Sequence, residues 1–340
     1  MSSLLERRYR AALRLLPSSY RAEREDEMVA EFMEMSGDVP DEVNPRPRWG
    51  ELASVLALAV QVRLGGTRAA PRAFAWGEAV RLIALLGLAY QSVYAVFVAE
   101  VLLGGLISGD VPHFLDAAGP AERLLYTAES LAVLCSAVAF VAITRGHARP
   151  AKAFAAIGMT LELAGFLTPA VGRLVVGMNP GADAADTLFA VVPAVALLLG
   201  FHSDVEPRRR PWGLAMAPLI AGLAMKGLIE AVIVLGLQER DWIYLWLDLA
   251  GTSVLALAAG SAFALGRRRS PSWTLALAGA ALLLLVVRLP LLLALYEPAW
   301  NTAAWSTVCA QCLLLSVLLG VLTATGLRAL PPAGPAAARP

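Results

Sequence analysis

Long apolar stretches alternate with short polar gaps from about residue 80 onward. A helix needs about 20 apolar residues to cross ~30 Å of hydrocarbon. On that measure the pattern predicts eight spans, near residues 80–107, 124–144, 154–176, 185–201, 212–237, 243–265, 273–295 and 302–325. Pro169 falls inside the third and the fourth is short, so a six-span arrangement with those two merged or re-entrant is the alternative. The expected fold class is all-α: a polytopic bundle of about eight transmembrane helices behind a small N-terminal helical domain.

Residues 1–66 follow a different pattern, with apolar stripes instead of continuous apolar runs. Leu5, Tyr9, Ala12, Leu13 and Leu16 recur at three- and four-residue steps, with Arg7, Arg8, Arg10 and Arg14 on the other face. That is an amphipathic helix, ended before Pro17. Ser18 or Ser19 is placed to cap a second, acid-rich helix, with Met28, Phe32 and Met35 as its apolar stripe and Gly37 as its stop. A third helix is expected from about Trp49 to Leu64. Its apolar run, Leu52–Val62, is too short to span a bilayer, so it should pack on the first two helices or lie on the membrane face. Residues 67–79 read as a juxtamembrane linker, and the Pro/Ala-rich residues 330–340 as a disordered tail.

Composition agrees with burial in lipid. Of 340 residues, 58% are apolar and only 16% are charged, with mean hydropathy +0.64, whereas a soluble domain carries about 25% charged residues. A net charge of +1 speaks against direct nucleic-acid binding, which calls for a clustered basic excess. The N-terminal stretch has arginines throughout and does not read as a signal peptide. Lys and Arg crowd alternate gaps: Arg63 to Arg81, then Arg145, Arg149 and Lys152, then Arg208–Arg210, then Arg267–Arg269. The gaps between them hold at most one such residue each. Because cytoplasmic loops carry the Lys/Arg excess, both termini are expected in the cytoplasm and the protein in the cell membrane. Several spans that run outward open on Pro with an aromatic nearby, as at Pro71 to Phe74 and at Pro271 to Trp273. These starts fit either four hairpins of one plan or convergent use of Pro at a helix start.

Charges within the spans are the candidates for chemistry, since each costs at least about 2.5–3.5 kcal/mol in the bilayer. At 1.5 Å per residue, Lys226 lies roughly 21 Å past Trp212, with Glu230 one turn further, and Arg288 lies roughly 22 Å past Trp273. Asp248 and Glu129 sit about 8 Å inside the outer face. Glu100 and Arg173 fall near the outer interface, and Glu162 in the inner half or middle. Glu100, Glu129, Arg173, Lys226, Glu230, Asp248 and Arg288 therefore form a candidate ligand or ion cavity on the outer side. The competing reading is a set of interhelical ion pairs that fix packing. Cys309 and Cys312 form a Cys-x-x-C pair in mid-membrane with no nearby His or Lys, which suits packing better than redox or metal chemistry. The chain has no G-x-x-x-x-G-K-[ST], no G-x-S-x-G and no H-E-x-x-H, so no cofactor, metal or catalytic residue is expected.

Arg8-Tyr9-Arg10, Arg14-Leu15-Leu16-Pro17, Tyr20-Arg21-Ala22-Glu23-Arg24 and Asp26-Glu27-Met28 resemble the helical prefix module of bacterial permease-like membrane proteins. They are also similar to HAAS-type signalling modules, which occur beside PadR-type transcriptional regulators. The resemblance covers residues 4–65 and none of the spans. It implies a partner-binding surface formed by Arg7, Arg8, Arg14, Tyr20, Arg21, Glu23, Arg24, Asp26 and Glu27, and a PadR-like cytoplasmic partner. Unlike the permeases, the chain has no large domain between its spans. The reading that follows is a non-enzymatic membrane protein that senses or signals through its N-terminal helices. The alternatives are a small-molecule or ion transporter and a lipid-modifying membrane enzyme.

Overall fold

The computed structural model describes residues 3–37, 46–66, 71–108, 119–175, 181–202, 205–236, 241–267, 270–294 and 302–332. Among them there is no strand, and the chain has the all-α architecture of a multi-pass membrane protein. It divides into two compact units, one of residues 1–78 with 330–340, the other of residues 79–329.

The described residues of the first unit form three helices ahead of the spans: α1 (Leu4–Leu13), α2 (Ser18–Ser36) and α3 (Trp49–Arg63). Ser3 caps α1 by accepting from the amide of Glu6 at 3.2 Å. The stripe of α1 is buried at Leu5, Tyr9, Leu13 and the following Leu16, against Val29 and Phe32 of α2 and Val55 and Ala59 of α3. The rings of Tyr9 and Phe32 stack with centroids 3.9 Å apart. Two expectations for α2 change. Pro17 stands at the N-cap and Ser18 is already helical, so no side chain caps the helix. Val29 takes the buried place, while Met35 is 75% exposed. Gly37, at φ 68°, ends α2. Arg63 at the end of α3 donates to the carbonyl of Leu15 at 2.9 Å, tying α3 to the turn after α1.

Nine further helices follow among the described residues: α4 (Pro71–Ser108), α5 (Pro120–Thr144), α6 (Ala148–Val175), α7 (Gly181–Gly200), α8 (Trp212–Val234), α9 (Asp241–Leu247), α10 (Leu249–Gly266), α11 (Pro271–Ala294) and α12 (Thr302–Arg328). Helix α4 begins inside the stretch read as a linker. Among the described residues seven helices are long and apolar enough to cross a bilayer: α4, α5, α6, α8, α10, α11 and α12. The eighth expected span is the shorter apolar helix at Ala184–Gly200 within α7. Helix α6 runs through Pro169 without a break. The expected span at 243–265 is instead two helices, α9 and α10, divided at Asp248.

In the second unit α5 packs along α6 and α11 along α12. Small residues let backbones approach, as in other membrane bundles. Pro193 of α7 fills the space where Gly87 of α4 lacks a side chain. The turns after α5 and after α7 meet: Arg145 lies 4.2 Å over the Trp212 ring and donates to the Arg210 carbonyl at 2.6 Å, while the Arg210 amide donates to Thr144 at 2.8 Å. Two of the arginine-rich gaps thus share one end of this unit.

Candidate functional site

The division between α9 and α10 creates a chemical problem that three side chains solve. Where a helix stops, its last carbonyls and the next helix's first amides need partners. Asp248, with φ −63° and ψ 166°, is the N-cap of α10, and its carboxylate accepts from the Gly251 amide at 2.6 Å. The Leu245 carbonyl accepts from Gln311 of α12 at 2.8 Å and from Arg288 of α11 at 3.2 Å. The same Arg288 nitrogen reaches the Asp248 carboxylate at 2.5 Å. Arg288 is only 3% exposed and Gln311 fully buried. A β-carbon at position 251 would strike the Leu245 carbonyl and lie 2.8 Å from Trp246 Cα, so glycine there lets the two helix ends meet.

Asp248 and Arg288 also stand in the wall of a cavity of about 600 Å³. Glu129 of α5, Glu162 of α6 and Asp186 of α7 line it too, with Tyr90, Tyr94 and Tyr126. The three carboxylates share one level. Glu129 lies fifteen residues before the end of α5, Glu162 fourteen after the start of α6, and Asp186 fourteen before the end of α7. At 1.5 Å per residue these are roughly 22, 21 and 21 Å from the same end of the hairpins. Gly165 of α6 makes room for Glu129, since a β-carbon there would lie 3.1 Å from Glu129 Cγ.

Of the residues expected to form one cavity, Glu129, Asp248 and Arg288 come together. Glu100, Lys226 and Glu230 do not join them. They form a separate cluster on α4 and α8, with Lys226 at 2.5 Å from Glu100 and 3.7 Å from Glu230. Those two carboxylates are 49% and 59% exposed, and this group follows the ion-pair reading. The side chain of Arg173 lies outside the described residues. Glu162, Asp186 and the tyrosines were not on the expected list. Cys309 and Cys312 carry free thiols, and no group of three or more His, Cys, Asp or Glu among the described residues is arranged to hold a metal ion.

In the first unit, four of the charges expected to face a partner also have partners within the unit. Asp26 pairs with Arg10 at 3.0 Å, Arg21 with Glu25 at 3.7 Å, and Arg24 with Glu27 at 2.9 Å, while Arg10 also reaches Glu6 at 3.0 Å. Hydrogen bonds to Asp26 and then Glu6 raise the pKa of the Arg10 guanidinium above its ordinary value. Arg8 and Tyr20 are half-buried. The side chains of Arg7, Arg14 and Glu23 are exposed and pair with no described residue.

Set against known proteins, the chain matches no family model, no curated protein and no solved structure. Its function is therefore argued from its own geometry.

Proposed function

We propose that the protein is a non-enzymatic sensor of the cell membrane, with both termini in the cytoplasm. The second unit binds a small polar solute, and the first engages a cytoplasmic protein. The observation that carries this reading is the cavity, which gathers four carboxylates and a guanidinium inside a unit made of apolar helices. Ionisable groups at membrane depth mark ligand or ion sites by default, and about 600 Å³ is within the range of small-molecule pockets. The orientation rests on the alternation of arginine-rich gaps. The exposed Arg7, Arg14 and Glu23 are the partner-facing groups, and a PadR-type regulator is the partner that the resemblance of residues 4–65 suggests. The test uses the full chain in nanodiscs as bait for a purified PadR-type regulator. Specific capture that Arg7→Glu with Arg14→Glu abolishes supports the reading. Equal capture by the double variant, or none by the wild type, refutes the partner assignment.

Transport is the second reading, and the division of α9 from α10 favours it. Discontinuous helices surround the substrate site in many secondary transporters. Solute counterflow in proteoliposomes separates the two: a sensor binds its solute and moves none.

A further inference from the structure

Helix α3 is apolar on two sides, and the core of the first unit uses only one of them. Val55 and Ala59 are buried in the cluster that α1 and α2 share with α3. Trp49, Ala53, Leu56 and Val60 follow at the four-, three- and four-residue steps of a single helical face. That face is turned away from the core: Trp49 is 87% exposed, Leu56 54%, Ala53 is exposed and Val60 half-buried. Large apolar side chains gathered on one exposed face mark a contact surface. Arginines flank it. Arg46 and Arg48 precede α3 and Arg63 ends it, all three exposed. Residues 46–66 carry these three arginines against one acid, Glu51, so the partner that complements them is negatively charged.

The other end of α3 shows what lies within reach. A β-carbon at Gly77 would strike the Leu64 carbonyl, and one at Gly65 would lie 2.9 Å from Phe74 Cα, so α3 ends against the first two turns of α4. Helix α4 is itself long and apolar enough to cross a bilayer. At 1.5 Å per residue, Gly77 and Phe74 stand roughly 5 and 9 Å before Val80, where the hydrocarbon part of that span is expected to begin. The headgroup layer is about 5–8 Å deep on each side. The end of α3 is thus anchored at headgroup level, and its apolar run is too short to cross the bilayer. A helix lying in that layer sinks an apolar, Trp-bearing face into the acyl boundary and sets its arginines on anionic headgroups. We infer that α3 lies on the lipid surface, with its Trp49–Val60 face in the headgroup boundary and with Arg46 and Arg48 on anionic lipid. This goes beyond the sensor reading and needs neither the solute nor the protein partner.

The test is lipid-borne quenching of a fluorophore on the full chain in nanodiscs. The label sits on Leu56→Cys or on Ser54→Cys, each in a chain that also carries Cys135→Ala, Cys309→Ala and Cys312→Ala. Ser54 is exposed too, and it lies about 160° around the helix from Leu56. The nanodiscs hold phosphatidylcholine, alone or with one third phosphatidylglycerol, and a doxyl-labelled lipid is the quencher. The expected result is at least about threefold stronger quenching at position 56 than at position 54. Phosphatidylglycerol should raise it further, and Arg46→Gln with Arg48→Gln should abolish that rise. Equal quenching at the two positions overturns the inference, as does quenching of position 56 by aqueous iodide alone. Shielding of position 56 from both quenchers means that a second copy or another protein covers the face, and overturns it as well. A rise with phosphatidylglycerol that survives in the arginine variant overturns their assignment to anionic lipid. If the cysteine-free chain fails to fold, the emission lost in Trp49→Phe gives the same readout, since Trp49 is exposed and its replacement opens no core.

Discussion

Replacing Arg288 by Met probes the division between α9 and α10. The change removes the partner of Asp248 at 2.5 Å and one of the two donors to the Leu245 carbonyl, leaving Gln311 at 2.8 Å. Breaking a buried ion pair costs about 3–5 kcal/mol, mostly because the remaining charge is uncompensated. Asp248→Asn removes the other charge and little else, since Asn caps a helix as well as Asp and keeps an acceptor for the Gly251 amide. The two single changes should differ in size. The side chain of Asp248 is 24% exposed and that of Arg288 only 4%. Asp248→Asn, which strands the more buried charge, should therefore cost more than Arg288→Met. In the double variant no stranded charge remains, and the total should fall to about 1–2 kcal/mol. The assay is reversible unfolding of the full chain in mixed micelles titrated with sodium dodecyl sulfate, followed by tryptophan fluorescence and far-ultraviolet circular dichroism. Single costs that add in the double variant to within about 0.5 kcal/mol would show that the two residues do not act as a pair.

Three further outcomes are expected. Gly251→Ala should cost about 1–3 kcal/mol or more in the same assay, because the new methyl meets the Leu245 carbonyl; wild-type stability would mean that the helix ends do not meet there. Tyr9→Ala should destabilise the first unit by about 3–5 kcal/mol by emptying its stacked core site, whereas Tyr9→Phe, which keeps the ring, should be much milder; equal costs would contradict the stacking argument. Burial, then Glu51 and Glu31, raise the Tyr9 phenol above its ordinary value of 10.0. The folded state thus keeps a proton that the unfolded chain gives up, so this contribution is full below pH 10 and is lost as pH rises through the folded value. A difference titration of wild type against Tyr9→Phe should show the lost tyrosine titrating late; a lost component at the ordinary tyrosine value would contradict the burial argument.

The membrane helices were largely legible in the sequence because length and apolar run are all a span requires. The division at Asp248 was not, although its signal was present. Asp248 stands three residues before Gly251, the spacing at which a cap side chain meets an amide, but a window of mean hydropathy averages one acid away among its apolar neighbours. Pro169 drew attention instead, and α6 passes through it. One proline removes a single backbone donor, whereas an Asp that caps one helix ends the other.

The carboxylates show which coordinate of a side chain such a sequence carries. Within their expected spans Glu129 sits about 8 Å inside the outer face and Glu162 in the inner half or middle, which are different depths. Counted from the turn that α5 and α6 share, they fall at one level, and Asp186 falls there as well. Depth was therefore available from chain counting alone. Rotation about the helix axis was not. Glu100, Lys226 and Glu230 were grouped by depth with Arg288, yet they face elsewhere. A helix that is apolar all round has no polar face to orient it, because lipid and protein interior demand the same side chains. The first unit provides the contrast within one chain. Beside water, the stripe of Leu5, Tyr9, Leu13 and Leu16 announced its buried face, and the structure buries it. Where the surroundings are hydrocarbon, only the rare polar residues carry that angular information, and they reveal it through their partners.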